Sequence, residues 1–210
     1  MKIPIIILSL ILIALVIWAI WSYLAIKNLE EPKYTILSKT NGYEVRQYSN
    51  YIVAEVEVWW SQTQALNNGF RLLAGYIFGG NTSNTSISMT APVAESQSTQ
   101  IAMTVPVSNT LGEWEIRKVQ FSMPSKYTLE TLPKPNNDKV TLKTLDWYKA
   151  AVLRYSFYAT ESRVGKMKLK LINLLEKDWV EIAWDIVSAQ YNPPFSFPAL
   201  RRNEIIIPIK

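Results

Sequence analysis

The sequence predicts an α+β domain held behind one membrane-spanning helix. Three observations carry this expectation. Ile5 to Ile26 contains no charged residue. Two later segments, Leu66 to Ile77 and Val164 to Leu174, repeat apolar residues at helical spacing, and stretches alternating apolar and polar residues flank both. Each half of the domain therefore runs strand, strand, helix, strand, strand, the pattern of an internal duplication.

The apolar run comes first. A helix needs about 20 residues to cross a hydrocarbon core of roughly 30 Å, and Ile5 to Ile26 meets that length. Trp18, Trp21 and Tyr23 crowd its C-terminal end, where amphipathic rings favour the membrane interface. A cleaved signal peptide would carry a shorter apolar region followed by small residues at a cut site, and no such site follows here. Residues 1–29 are thus expected to form an uncleaved single-pass anchor and 30–210 the domain. Lys2 on one side and Lys27, Lys33 and Lys39 on the other, interleaved with Glu30 and Glu31, leave the side of the membrane open.

After a charged connector, Leu29 to Lys33, strands begin. In Tyr51 to Val58, Ile52, Ala54, Val56 and Val58 face one way and Glu55 and Glu57 the other. Ser61-Gln62-Thr63-Gln64 has the form of a capping box. The helix it opens places Leu66, Phe70, Leu73 and Ile77 on one stripe, and Gly79-Gly80 ends it. Asn81-Thr82-Ser83 and Asn84-Thr85-Ser86 fit the glycosylation pattern but read better as unmodified turns. Trp114 to Phe121 and Val140 to Tyr158 read as strands, the latter with Ala151, Leu153, Tyr155 and Phe157 on one face. Pro133 to Asp138 is a surface loop between the halves. A second helix over Glu161 to Lys177 puts Val164, Met167, Leu171 and Leu174 inward. Val180 to Val187 alternates again, with Ile182, Trp184 and Ile186 inward, and Glu204 to Ile209 closes the chain.

One phrase occurs twice: Ile87-Ser88-Met89-Thr90-Ala91-Pro92-Val93 and Ile101-Ala102-Met103-Thr104-Val105-Pro106-Val107. Periodicity predicts a β-hairpin of two similar strands, with the polar stretch Ala94 to Gln100 as its turn. The wording resembles the SOUL haem-binding protein family, whose members carry a paired Met-Thr-x-Pro-Val/Ile segment. Gly42-Tyr43-Glu44-Val45-Arg46-Gln47-Tyr48 is similar to that family's opening strand, and Gly69 to Ile77 to its first helix. Tyr191-Asn192-Pro193-Pro194 and Arg201-Arg202-Asn203-Glu204-Ile205 are similar to its closing loop and last strand. The resemblance covers Tyr34 to Lys210. It implies a distorted eight-stranded antiparallel barrel with the two helices packed outside.

The resemblance also implies haem or another tetrapyrrole in a shallow apolar groove beside the first helix. That groove would draw on some of Phe70, Leu73, Ile77, Met89 and Met103, each of which reads first as core packing. Arg71, next to Phe70, would supply a cation for the ligand's carboxylates. Some family members place a histidine, proposed as axial ligand, where this chain has Gln47. Met89, Met103 and the Tyr48 phenolate are the remaining candidates for iron, and binding with no axial bond is the favoured expectation. Arg163, Lys166, Lys170 and Lys177 lie along one side of the second helix and read as a solvated face, or as a contact for propionates or anionic headgroups.

Composition excludes several chemistries. The chain has no histidine and no cysteine, so His- and Cys-based nucleophile pairs and His or Cys metal sites cannot be assembled. No glycine-rich phosphate loop appears, and a net charge of +5 without a basic run argues against nucleic acid. The expectation is a membrane-tethered, non-catalytic binding protein for a tetrapyrrole or similar flat amphipathic ligand, in contact with membrane lipid. Its alternatives are a membrane-anchored scaffold domain that has lost haem binding and, behind that, an enzyme acting on a small apolar substrate.

Overall fold

The computed structural model describes residues 2–40, 42–59, 62–83, 85–97, 116–146, 148–183 and 186–210. Helix α1 (Lys2–Lys27) comes first, followed by strands β1 (Tyr34–Lys39), β2 (Glu44–Tyr48) and β3 (Tyr51–Trp59), then helix α2 (Gln62–Ile77). Strands β4 (Val93–Gln97), β5 (Ile116–Ser122), β6 (Thr141–Leu145) and β7 (Tyr148–Tyr155) precede helix α3 (Glu161–Lys177). Strand β8 (Val187–Gln190), a 3-10 turn at Pro198–Leu200 and strand β9 (Asn203–Ile209) complete the chain. Helix α1 stands apart: only 6% of its apolar window is buried, which excludes the core helix of a soluble domain.

Among the described residues nine strands form one curled antiparallel sheet in the order β1-β2-β7-β9-β8-β4-β5-β3-β6. Its middle eight-strand pattern is palindromic. Outward from the β4–β8 pair, each half presents the strand after its helix, then the next strand, then the strand before the helix. Each half finally donates its first strand to the other: β2 pairs with β7, and β6 with β3. This is the expected duplication, with exchanged edges. Strand β1, added outside β2, makes nine strands rather than eight.

Both helices lie on one face of the sheet. Helix α2 covers β3 and β5, burying Leu73, Tyr76 and Ile77 against Ala54, Val56, Val58, Val119 and Phe121. Gly69 permits that approach, because a Cβ there would stand 2.6 Å from Val119 Cγ2. Gly79, at φ 114°, ends the helix in a conformation that suits glycine. Helix α3 covers β7 and β9 through Val164, Leu171 and Leu175. Thr160 caps it, its side chain accepting from Arg163 N, while Glu161 and Lys177 complement the dipole at either end. Pleating sends the intervening residues to the opposite, helix-free face: Val53 and Glu55 on β3, Lys118 and Gln120 on β5, Ile206 on β9.

Several expected boundaries moved. The first copy of the repeated phrase is no strand: Ile87 to Pro92 lies outside the ladder, and β4 starts at Val93 and occupies the stretch expected to turn. The reason is where its backbone bonds go. Ile87 N donates to Ile77 O, Ala91 N to Glu30 O, and Thr90 Oγ1 to Ser122 O, while Pro92 has no N–H and follows a cis bond. The second copy, with Met103, lies outside the described residues, as do Ser61 of the expected cap and Trp184. Val180 to Val187 is likewise not one strand. Ile182 makes a single bridge to Ile209, and β8 begins only at Val187. The long Val140–Tyr158 segment is two strands, β6 and β7. Asn81 is buried: its amide donates to Tyr76 O and Thr85 O and accepts from Thr85 N, which suits a structural turn.

Candidate functional site

The helix-free face of the curled sheet holds a groove of about 400 Å³. Tyrosines dominate it because five strand or strand-end positions with the same pleat direction all carry one: Tyr34, Tyr48, Tyr51, Tyr148 and Tyr191. Tyr48 and Tyr148 stack, ring centroids 5.1 Å apart and 15° between planes. Tyr34 tilts onto Tyr48 at 5.4 Å, and the Tyr51 and Tyr148 hydroxyls hydrogen-bond at 3.1 Å. Val53, Val187, Ile206 and Pro208 add aliphatic lining. Two cations reach it: Lys143, paired with Glu55 at 2.6 Å, and Lys118, loosely paired with Glu57 at 3.8 Å. An adjoining hollow of about 450 Å³ shares Glu31, Pro32, Tyr51, Ser122 and Thr144 with the groove and runs along the connector after α1.

A buried ionic network closes one end. Glu204, with no exposed surface, accepts from Arg46 Nη1 at 3.0 Å and Nη2 at 3.2 Å, from Arg202 Nε at 3.0 Å and from the Tyr191 hydroxyl at 2.6 Å. Arg202 continues to Glu31 of the connector at 2.9 and 3.0 Å. The guanidinium of Arg46 sits 4.3 Å over the Tyr34 ring and that of Arg202 3.8 Å over Tyr191. Burial disfavours the Arg46 cation, but the hydrogen bonds and charge of Glu204 outweigh it and hold its pKa above the usual value. Burial pushes the Tyr48, Tyr148 and Tyr191 phenols well above theirs; beside Tyr48 and Tyr191 the negative charge of Glu204 adds to the effect.

The structure keeps Phe70, Leu73, Ile77 and Met89 together about the α2 core and puts Tyr48 on the other face of the sheet. Leu73 and Ile77 are fully buried beneath α2, and Met89 packs partly buried against the same core. Phe70 reaches the surface with its ring edge-on to Phe121 at 5.2 Å. Arg71 is exposed and donates to Asn68 Oδ1 at 3.1 Å; the open hollow beside it has a mixed lining that includes Glu57, Val58, Leu72 and Lys139. Among the described candidates Tyr48 lies in the groove, on the opposite face of the sheet from α2. Gln47 alternates away from the groove, so the position of the expected axial ligand faces the α3 side. Lys166, Lys170 and Lys177 are exposed, while Arg163 turns back to donate to Tyr158 O at 2.8 Å.

Comparison with known proteins adds the decisive observation. The family model described as "SOUL heme-binding protein" matches residues 29–208, most of the chain. The chain belongs to the SOUL haem-binding protein family. No curated protein matches it in sequence. Among solved structures, the C-terminal domain of EcmrR superposes with a TM-score of 0.60 at 8% identity, covering 84% of this chain and 98% of that one. The EcmrR–DNA complex gives 0.58 at 10% identity, over 98% and 68%. A protein named a hydrolase from Listeria innocua gives 0.53 at 8%, over 83% and 94%. At such identities these likenesses establish the shared fold alone.

The donor set decides what kind of tetrapyrrole the SOUL fold fits here. Without histidine or cysteine, the axial donors left from the common haem set are methionine and phenolate. Met89 packs into the core under α2, and the Tyr48 phenol is held protonated by burial and by Glu204. As placed, Met89 and Tyr48 do not fit as iron ligands; Met103, the remaining candidate, lies outside the described residues.

Proposed function

We propose that this chain is a membrane-tethered, non-catalytic SOUL-family binding protein that holds haem or a similar flat, amphipathic tetrapyrrole without an axial protein ligand. Helix α1 is the tether. The observation that carries the reading is the tyrosine-lined groove on the helix-free face. Stacked rings and aliphatic side chains offer apolar area to a planar ligand, and Lys118 and Lys143 offer cations to its carboxylates. Without a coordinate bond the affinity is of micromolar order or weaker, about −8 kcal/mol.

The test is an absorbance titration of the full chain in detergent with haem and with metal-free porphyrin. Both should bind with similar affinity and without a histidine-type spectrum. Ala94 lines the groove, so Ala94→Trp should fill it and abolish binding, whereas Arg71→Glu should leave binding unchanged. The opposite pattern would move the ligand to the α2 surface. Tight low-spin haem with no affinity for the metal-free ring would overturn the unligated mode. The lack of histidine and cysteine also favours a second reading, a membrane-anchored scaffold domain that has lost its ligand; neither compound would then bind.

A further inference from the structure

We infer that the segment Pro193–Leu200, with Phe157 and Tyr158 beside it, is a second membrane contact that enters the lipid interface where α1 leaves the bilayer. The inference rests on reading α1 as a tether. Its first support is geometric. Trp18 Nε1 donates to Phe195 O at 2.7 Å, Phe197 N donates to Ser22 Oγ at 2.7 Å, and the Trp18 and Phe197 rings meet edge-on at 5.0 Å. The loop is therefore fastened to the last third of the apolar helix rather than to its end.

Length turns that fastening into a position. From Pro4 to Ile17 a helix rises about 21 Å, short of the roughly 30 Å of hydrocarbon it must cross. Spanning from Pro4 takes about 20 residues, which places the far hydrocarbon edge near Tyr23. Trp18 then lies several ångströms on the lipid side of that edge, and whatever is bonded to it goes along. Interfacial elements commonly sit about 5–10 Å into the headgroup and acyl boundary.

The loop has the chemistry for that environment. Phe195 is 78% exposed, and Leu200, Phe157 and Tyr158 also present apolar surface outward. Arginines back the rings: Arg201 lies 4.7 Å over Tyr158 and Arg163 5.5 Å over Phe157. Phe157 N donates to Pro198 O, joining the two segments. Much of the backbone is also satisfied internally, which matters because lipid offers no partner to an open N–H or C=O. Pro193, Pro194 and Pro198 have no N–H. The amides of Ser196, Phe197 and Leu200 donate to Pro193 O, Ser22 Oγ and Phe197 O. Among the carbonyls, Pro194 O accepts from Arg201 Nη1 and Phe195 O from Trp18.

Because the chain has no cysteine, single cysteines can be placed and spin-labelled without background. Leu15→Cys reports on the tether, Phe195→Cys on the loop, and Lys134→Cys on an exposed polar loop as the aqueous reference. Each full-length variant is reconstituted in vesicles of mixed neutral and anionic phospholipid. Collision with a water-soluble nickel chelate and with dissolved oxygen is then measured. The Phe195 label should lose chelate accessibility severalfold against Lys134 and gain oxygen accessibility, approaching Leu15. A water-exposed Phe195 label beside a lipid-buried Leu15 label overturns the second contact and leaves the tether standing. A water-exposed Leu15 label removes the tether itself, and the inference with it.

Discussion

Arg46 and Glu204, 158 residues apart, share two hydrogen bonds of 3.0 and 3.2 Å at a point where the Glu204 carboxylate has no contact with solvent. They belong to the opening strand and the closing strand, the two stretches whose wording marks the ends of the SOUL domain. Strand β7 lies between β2 and β9, so the pair reaches across it and ties the two termini of the domain together. Arg202 extends the tie to Glu31 in the connector, so the same network holds the groove's end and the segment that leads from α1.

Removing the shared carboxylate should therefore destabilise the whole domain. Glu204→Gln leaves two buried guanidinium groups facing one another, and breaking a buried pair costs about 3–5 kcal/mol. Arg46 retains Glu44 and Arg202 retains Glu31, which favours the lower end of that range. Denaturant unfolding in detergent measures it; a loss within experimental error would show that the network carries no stability.

Two glycines of α2 should respond in opposite directions to the same substitution. Gly69→Ala drives a Cβ to 2.6 Å from Val119 Cγ2 and should cost about 1–3 kcal/mol through overpacking. Gly75 has nothing within 4 Å of its would-be Cβ, so Gly75→Ala should gain up to about 1 kcal/mol of helix propensity. Thermal melts of the two variants decide it, and a neutral Gly69→Ala would mean that α2 can shift off β5.

Elements whose pattern is local were legible in the sequence. The α3 boundaries, Glu161 to Lys177, and the alternation of Ile52, Ala54, Val56 and Val58 towards α2 follow from spacing and end signals that need no tertiary partner. The repeated phrase misled because its strand-like alternation says nothing of partners. Thr90 and Ala91 bond to Ser122 and Glu30, which only the fold brings near. The groove was hidden for a related reason. Tyr34, Tyr48, Tyr51, Tyr148 and Tyr191 come from both halves and converge only when β2 crosses to β7. The one available signal was on the strand faces opposite the core, where tyrosine stood at a position that solvent alone would not select.

The connector should loosen in acid. Glu30 accepts Ser125 N at 2.7 Å, and its pKa lies below the ordinary 4.5, chiefly through its hydrogen bonds with Ser125. A carboxylate depressed on folding contributes stability above its unfolded value and loses it as pH falls through the folded one. The hold between residues 30 and 125 should thus fade below pH 4.5, and Glu30→Gln should remove that acid sensitivity. Amide exchange at Ser125 reports it; exchange that stays protected and independent of pH through this range would refute the assignment.

Alkali should open the groove. Tyr48, Tyr51, Tyr148 and Tyr191 all titrate above the ordinary 10.0, burial being the largest cause for each. A phenol whose folded pKa is raised contributes stability that is fully present below pH 10.0 and is lost as pH rises through the folded value. Ionisation of these four groove tyrosines should therefore arrive late and cooperatively, together with unfolding. Phenolate absorbance and far-ultraviolet circular dichroism, followed together, show whether the late step and the loss of structure coincide. One early, non-cooperative step with the fold intact would mean that the tyrosines are wet. The same titration tests the ligand. A planar ligand that covers the groove binds only the folded state and should raise the alkaline midpoint. Ala94→Trp, which fills the groove, should abolish that rise while leaving the late tyrosine step in place; a rise that persists in the variant would put the ligand elsewhere on the domain.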